Sequence, residues 1–222
     1  MTAQTTHRFE STDVLRMFPT FVWKAKLAPA ACGPLNDSII HALAVIGAPL
    51  GDLKPGESWQ SGHDLHERPG FACVVECINA AADCVLAYLR VGHEGFKITG
   101  CWANINAPGA GHRLHNHPNN YLSGVYYVRT QAGADTINFL DPRPQTAIVR
   151  PPVTELTAEN TEQVVLAVSD GMLLMFPAWL QHEVDLNRSN RPRVSLGFNV
   201  MFRAYAEGMA RPSWVPGKRS AL

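Results

Sequence analysis

Three histidines lie within six residues near the middle of the chain, at His112, His115 and His117. In an extended strand alternate side chains point to the same side, so His115 and His117 would face one side of a sheet. Two imidazoles on one face are the start of a mononuclear metal site, because imidazole binds iron, zinc, copper and nickel. The same spacing also arises from ordinary polar alternation on a surface strand, so the pair alone does not decide the question.

A second stretch, far downstream, makes the metal site the better interpretation. Residues 171–176 form an apolar run that reads as a buried strand, and Pro177 and a short turn then lead to a single histidine, His182. Eleven residues later come Arg193 and Ser195. The occurrence of both stretches in one chain predicts that His115, His117 and His182 together bind one metal and form the catalytic centre.

The composition indicates an ordinary soluble globular chain. Its 222 residues are 46% hydrophobic and 17% charged, which is enough chain for a sizeable core. Nineteen acidic and nineteen basic residues cancel, so no net charge attracts the protein to nucleic acid or to an anionic membrane. Residues 1–10 carry no apolar segment, and we expect no stretch to approach the ~20 apolar residues of a membrane span.

The five cysteines, Cys32, Cys73, Cys77, Cys84 and Cys101, are odd in number and form no Cys-x-x-Cys pair. We expect small buried hydrophobes rather than a disulfide or metal framework, with Cys73, Cys77 and Cys84 on one helix face. Free thiols fit a reducing compartment, so a cytoplasmic location is expected.

The periodicity predicts helices first and strands afterwards. An edge strand is expected within residues 17–27 and helices over 29–46 and 68–91. Between the helices, the loop 47–67 contains Trp59, Ser61, His63 and His66 and could cover a pocket. Strands are then predicted over residues 96–105, 121–129, 135–140, 146–149, 162–168, 171–176 and 193–202, before a loosely held tail at 212–222.

Two helices followed by seven or eight short strands imply an α+β fold. We predict a single domain over residues 1–222, whose core at about 95–203 is a sandwich or jelly roll, a double-stranded β-helix. The N-terminal strand and helices at 17–91 would pack outside this core. Such a fold can bind a metal in the open end of its barrel, with ligands from an early strand and from the last strands.

These blocks resemble the Fe(II)- and 2-oxoglutarate-dependent oxygenases. More narrowly, they resemble a bacterial subgroup marked by His-x-His-Pro and then Ser-Gly-Val-Tyr-Tyr, which are residues 115–118 and 123–127 here. Other matching pieces are residues 17–19, 102–104, 139–143, 176–182 and 193–199. The resemblance spans about residues 17–203, and the order and spacing of the pieces are more specific than any single one.

The resemblance implies a ligand set with one departure from the usual pattern. His115 takes the place of the first iron ligand and His182 that of the distal histidine, while His117 stands where the family usually has an acid. Three neutral imidazoles would leave a divalent metal at a charge of +2 instead of +1. Asp141 and Asp185 are open as alternative sources of a carboxylate.

The resemblance also implies a pocket for 2-oxoglutarate. Arg193 would bind its distal carboxylate, since a guanidinium fork pairs with both oxygens and keeps its charge. Ser195, Tyr127 and Asn104 are the other candidate cofactor-binding residues. Arg193 could instead belong to the exposed basic run 188–193, in which Arg191 is its nearest rival.

The implied activity is that of a dioxygenase with Fe(II), 2-oxoglutarate and O2 as cofactor and co-substrates. It would hydroxylate or otherwise oxidise a small molecule and release succinate and CO2. Neither nucleic acid nor a membrane is expected as a partner, and a homodimer stays open. Candidates to line the substrate pocket are His112, Asn104, Tyr121, Arg143 and Trp179.

Two other classes stay open at this point. The spacing from Gly171 through Pro177 to His182 loosely fits a cupin-type three-histidine metal dioxygenase that does not use 2-oxoglutarate, although no glutamate follows His117 at the cupin distance. A non-catalytic jelly-roll binding module is the third class. Arg193 distinguishes a 2-oxoglutarate oxygenase from these two classes, because it has a defined task only if 2-oxoglutarate binds.

Overall fold

The structure is a computed structural model that describes residues 10–143 and 148–208. The whole predicted tail at 212–222 and half of the predicted strand at 146–149 therefore lie outside the described residues, as do the two ends of the predicted domain 1–222. The predictions for residues 17–140 and 162–202 can all be compared with the structure.

The N-terminal part consists of two short strands and two long helices, in the order β1 (Trp23–Lys26), α1 (Pro29–Val45), β2 (Ser58–Gln60) and α2 (Ala72–Tyr88). Pro29 opens α1, where its missing N–H removes no hydrogen bond. The second helix begins later than residue 68, because Arg68 is extended and Pro69–Phe71 forms a 3₁₀ turn. Both predicted helices are confirmed, while β2 was missed inside the predicted loop.

The remaining elements are almost all strands. They are β3 (Phe96–Asn106), β4 (His112–His115), β5 (Leu122–Arg129), β6 (Thr136–Leu140), β7 (Gln163–Ala167), β8 (Met172–Pro177), β9 (His182–Val184) and β10 (Arg193–Phe202), followed by the short helix α3 (Arg203–Gly208). The short strands β4 and β9 were not predicted as such, and these two contain His115 and His182.

The strands form two antiparallel sheets. The larger has the order β1-β8-β5-β10-β3-β2, and the smaller has the order β4-β9-β6-β7. The non-sequential order shows that the chain passes repeatedly from one sheet to the other, as a double-stranded β-helix requires. The predicted α+β fold is confirmed, and β1 is an edge strand, as the proline in its segment suggested.

Two apolar clusters hold the layers together. One joins the helices to the larger sheet, with Val74, Ile78 and Leu86 of α2 almost fully buried. The other lies between the sheets around Phe139, Leu174 and Phe176. Burying one such side chain contributes about 1.5–3 kcal/mol, so the helices are part of the stable fold and close its outer face.

Helix α2 differs from the sequence expectation in two respects. By length and composition alone, the stretch Pro69–Tyr88 could cross a membrane, whereas no such stretch was expected. The same composition suits a helix packed on a protein core, and one third of the stretch is buried here. Cys73 and Cys84 are exposed rather than buried, because the branched apolar residues of α2 take the inward face.

Candidate metal centre

The three histidines predicted as ligands converge on one point. His115, the last residue of β4, lies opposite His182, the first residue of β9. His117 lies two residues beyond β4, where its backbone N–H donates to Ala178 O at 2.9 Å. One ring nitrogen from each histidine lies within 4.8 Å of the other two. The convergence therefore results from strand pairing and a turn, and not from alternation within a single strand as the sequence suggested.

Hydrogen bonds fix the orientation of two of the imidazoles, and in both rings the same nitrogen remains free to bind a metal. Nδ1 of His115 lies 2.7 Å from Arg113 O, and Nδ1 of His182 lies 3.0 Å from Leu180 O. A carbonyl oxygen only accepts, so each Nδ1 carries the proton and donates it. The lone pair of each ring is then on Nε2, which is how backbone carbonyls orient metal-binding histidines.

Among the described residues, these three histidines are the one group of histidine, cysteine or acidic side chains close enough to hold a metal. The two carboxylates that the sequence left as possible ligands are not part of this group. Asp141 forms an ion pair with Arg143 at 2.6 Å. Asp185 is exposed after the end of β9. The ligand set that the structure offers is three imidazoles.

Burial keeps His117 and His182 of the cluster, and the neighbouring His112, uncharged at neutral pH. Desolvation, together with the neighbouring imidazoles, lowers the pKa of His117 to about 3. Desolvation likewise lowers the pKa of His182 to about 4. The pKa of His112 is also lowered to about 4, by desolvation and then by the charge of Arg193. A neutral imidazole is the form that binds metal, so no proton has to leave these rings at pH 7.

We expect the metal-free protein to lose stability as the pH falls from about 6.5 towards about 4. An unfolded histidine takes up a proton near pH 6.5, whereas folded His112 and His182 do so only near 4. Between these values the unfolded state binds more protons, so the free energy of unfolding decreases with decreasing pH. Urea unfolding with a chelator at about pH 7 and about pH 5 measures the difference.

A matched pair of variants identifies the source of that pH dependence. His112→Gln should reduce the slope, while replacement of His41, which is exposed on α1, should leave it unchanged. The lowered pKa values of Asp64 and Asp141 keep these carboxyl groups ionised over this range. A free energy of unfolding that is equal at both pH values would contradict the burial of neutral histidines.

The predicted co-substrate residues lie together on the inner face of the larger sheet. Ser195 of β10 pairs with Asn104 of β3 on one side and with Tyr127 of β5 on the other, so the three form one row. Arg193 lies two residues from Ser195 on the same face. All four side chains line the same cavity of about 290 Å³ as the three histidines.

Several polar atoms in this cavity are buried without a partner. Arg193 is 3% exposed, and its only side-chain hydrogen bond within residues 10–143 and 148–208 is a long one from Nη1 to Thr136 O at 3.4 Å. In the same part of the chain, its Nε, the Tyr127 hydroxyl and the Asn104 carbonyl oxygen have no hydrogen-bond partner. Desolvation by burial lowers the pKa of Arg193, and Tyr127 offsets part of this shift. A buried, unpaired guanidinium is costly, so the site is built for an anion.

The other predicted pocket residues divide into two groups. His112 and Asn104 line the cavity, but Tyr121, Arg143 and Trp179 do not. Tyr121 packs against Phe202, with ring centroids 4.8 Å apart. Arg143 is turned to Asp141, and Trp179 is 52% exposed. These three residues were predicted from their positions in the matched motifs. A position in a motif does not specify the direction of a side chain.

Four polar or aromatic residues of the cavity lining were not assigned to the site from the sequence: Gln60, His63, Trp102 and Arg113. The indole of Trp102 lies over Gly197, where an added Cβ would come within 2.6 Å of the ring. His63 stacks on this indole with ring centroids 4.6 Å apart. The signal that could have found Gln60 and His63 was their place in a long loop expected to cover a pocket.

A family model matches the central part of the chain. Residues 100–199, which include all three histidines and Arg193, match the family described as "Putative 2OG-Fe(II) oxygenase". A search of curated proteins finds no significant match.

Solved structures with a similar fold include a prolyl-4-hydroxylase, an α-ketoglutarate-dependent carbocyclase and a protein solved with 2-oxoglutarate. A Pseudomonas putida prolyl-4-hydroxylase is 18% identical, with a TM-score of 0.57 over 83% of this chain and 94% of that one. The carbocyclase SnoK from nogalamycin biosynthesis is 11% identical, with a TM-score of 0.60 over 82% and 80%. HygX from Streptomyces hygroscopicus, solved with nickel, 2-oxoglutarate and hygromycin B, is 14% identical, with a TM-score of 0.55 over 83% and 84%. At these identities the likeness concerns the fold.

The resemblance to the Fe(II)- and 2-oxoglutarate-dependent oxygenases is therefore confirmed. The match over residues 100–199 supports an enzyme of the 2OG-Fe(II) oxygenase family, and the solved structures support the fold. Membership of the narrower subgroup marked by the two motifs stays a prediction.

Proposed function

We propose that this protein is an Fe(II)- and 2-oxoglutarate-dependent dioxygenase that oxidises a small molecule with release of succinate and CO2. One observation carries the proposal. In a single cavity, three imidazoles converge within 4.8 Å, and beside them Arg193 is buried without a carboxylate partner among the described residues. The first feature fits a metal and the second fits a dicarboxylate.

The donor set fits iron. Imidazole is a common ligand of Fe(II), and three ligands on one side of a metal leave positions for a chelating co-substrate and oxygen. His115 and His182 would bind through Nε2, since Nδ1 of each is held by a backbone carbonyl. We propose His117 as the third ligand, at the place where relatives usually have a carboxylate.

The polar row fits 2-oxoglutarate. The guanidinium of Arg193 can pair with both oxygens of the distal carboxylate, and the Tyr127 hydroxyl can donate to the same group. Burial raises the pKa of Tyr127, so its proton stays available for that hydrogen bond. Ser195 and Asn104 lie side by side in this polar row and can orient the carbon chain of the co-substrate.

Bound Fe(II), 2-oxoglutarate and O2 would supply the oxidising power, which no side chain of this cavity can provide. The protein's own task is to bind, orient and exclude water. The Trp102 indole, Val125 and Ile137 line part of the cavity and offer water few hydrogen-bond partners there. Its volume of about 290 Å³ is at the lower end for ligand sites and fits small molecules.

A three-histidine metal dioxygenase without 2-oxoglutarate is the second candidate. The all-imidazole ligand set favours it, since the usual acid is missing. It gives no role to the buried charge of Arg193 or to the unpartnered Tyr127 hydroxyl, so we rank it second.

An anaerobic titration tests the proposal. Adding 2-oxoglutarate to the Fe(II)-loaded protein should produce a visible charge-transfer band, because chelation through the 2-oxo acid brings the keto group onto the metal. Glutarate, which has both carboxylates but no keto group, should produce none. If 2-oxoglutarate and glutarate give the same spectrum, the co-substrate assignment is wrong and the three-histidine alternative gains support.

A further inference from the structure

The charges that line the cavity are unusually one-sided. Two arginines, Arg113 and Arg193, and five histidines line it, whereas none of the described lining residues is aspartate or glutamate. A histidine adds no negative charge in either protonation state. The protein therefore presents at least two positive charges to this space, before any metal is bound, and no negative one.

The two arginines lie on different walls of the cavity. Arg193 is in β10 of the larger sheet and is 3% exposed, so it forms part of the floor. Arg113 is in β4 of the smaller sheet and is exposed at the rim. No ion pair or side-chain hydrogen bond of Arg113 is recorded among the described residues. If 2-oxoglutarate occupies Arg193, the charge at the rim stays available.

The nearest acidic side chains in sequence do not neutralise this rim. Asp64, next to His63, pairs with Arg68 at 2.9 Å. Glu183 and Asp185 flank the cavity residue Val184, and neither lines the cavity. Alternation along the strand accounts for this, because His182 and Val184 face inward and their neighbours face away. The field at the mouth is therefore positive and favours the approach of an anion.

We infer that the primary substrate is a small molecule with a carboxylate group, which pairs with Arg113 at the rim while its reacting part lies over the three histidines. This inference rests on the proposed function, because it assigns Arg193 to the co-substrate. The limited cavity volume requires the group to be compact, and a guanidinium matches both carboxylate oxygens. With Arg193 paired to the co-substrate, a cationic substrate would still meet the positive charge of Arg113 at the rim.

The wall formed by β2 and the following turn offers neutral polar groups to the same substrate. Nε2 of Gln60 lies 3.0 Å from Nε2 of His63, so the two side chains orient each other. Because this amide nitrogen donates to the ring, Gln60 keeps its carbonyl oxygen for a donor on the substrate. The wall adds hydrogen bonds without negative charge, so it does not weaken the selection for an anion.

The test compares benzoate with benzamide, two probes of the same shape that differ in charge. Each is titrated into the anaerobic protein loaded with Fe(II) and saturated with 2-oxoglutarate, and the shift of the charge-transfer band is followed. We expect benzoate to bind about tenfold more tightly than benzamide, as one charge-assisted pair would give. Arg113→Gln should remove most of this preference, and Arg113→Lys should retain much of it.

Arg191→Gln is the matched control, because Arg191 is exposed and lies outside the cavity. It should leave the preference unchanged, and 2-oxoglutarate should titrate equally into wild type and Arg113→Gln. Equal affinity for the two probes, or an unchanged preference in Arg113→Gln, would overturn the inference. So would bleaching of the band by benzoate, since it would mean displacement of the co-substrate. Absence of the band before any probe is added would instead refute the proposed function.

Discussion

His182→Ala should abolish metal binding at the candidate centre, and His115→Ala should do the same. Each ring is buried or held so that its free nitrogen points to the other two. Loss of residues that only orient a metal ligand already lowers affinity about 10–100-fold, so loss of a ligand should cost at least about a hundredfold. Iron content after anaerobic loading and gel filtration measures the effect.

Two other histidines of the same cavity serve as controls. His63 stacks on Trp102, and His112 is near Asn106, at 3.4 Å between Nε2 and Nδ2. Neither belongs to the cluster within 4.8 Å, so alanine at either position should leave the iron content nearly unchanged. A variant His117→Ala that keeps full metal occupancy, while His115→Ala loses it, would show that the assigned triad is wrong.

His117→Asp separates a ligand from a packing residue at this position. The ring is half-buried beyond the end of β4, and its backbone N–H, which the substitution retains, already anchors the turn. Because a carboxylate is a suitable iron ligand, this variant should keep the metal and lower the charge of the site by one. An insoluble His117→Asp protein would indicate that His117 is a packed core side chain.

The sequence predicted secondary-structure elements best where an apolar or β-rich pattern extended over many residues. The apolar period of α2 and the β-rich runs of β3, β5 and β10 were long enough to predict both type and order of the elements. It was least informative for β4 and β9, of four and three residues. Strands this short are stabilised by their neighbours in the sheet, so local composition contains little signal for them.

The site was predictable in its residue types but not in its geometry. His115 and His182 are separated by 66 residues, and they meet because β4 and β9 are neighbours in the smaller sheet. The sequence indicated only that the loop containing Gln60 and His63 could cover a pocket, and it did not show the pairing of β2 with β3 that brings Gln60 to the cavity. Tyr121 and Trp179 show the converse, because a position in a motif does not determine which way a side chain points.

Cys73 and Cys84 illustrate a limit of composition. Cysteine is among the most buried residue types, and this favoured a core position for both. On α2, however, the inward stripe is already filled by valine, isoleucine and leucine. The helical period therefore turned the thiols outward, which shows that competition among neighbours outweighs the preference of a single residue type.

Arg193→Ala should weaken the binding of 2-oxoglutarate by about a hundredfold or more, with iron still bound. Breaking a buried ion pair costs on the order of 3–5 kcal/mol, and this cost corresponds to such a factor. The residue is 3% exposed, and its Nε has no partner in the described part of the chain. The measurement is the titration of the Fe(II)–2-oxoglutarate charge-transfer band in wild type and variant.

Arg193→Met distinguishes a binding role from a structural one. Without ligand, the guanidinium is a buried charge with no balancing carboxylate among the described residues, so an apolar side chain of similar length should not destabilise the protein. We expect an unchanged or higher Tm for this variant alone. The increase in Tm that 2-oxoglutarate gives the wild-type protein should be lost. A large decrease in Tm without ligand would instead indicate that Arg193 stabilises the fold.

Arg191→Ala provides the matched control for the arginine at position 193. Arg191 is exposed, and its hydrogen bonds among the described residues use backbone atoms: the oxygen accepts from Gln131, Asn187 and Ser189, and the N–H donates to Ser189 Oγ. Alanine keeps that oxygen, so 2-oxoglutarate should titrate into Arg191→Ala as into wild type. If the curves for wild type and Arg193→Ala also coincide, the buried charge has no part in co-substrate binding. The three imidazoles would then be the sole feature of the site with a defined task, and the three-histidine dioxygenase would be the better assignment.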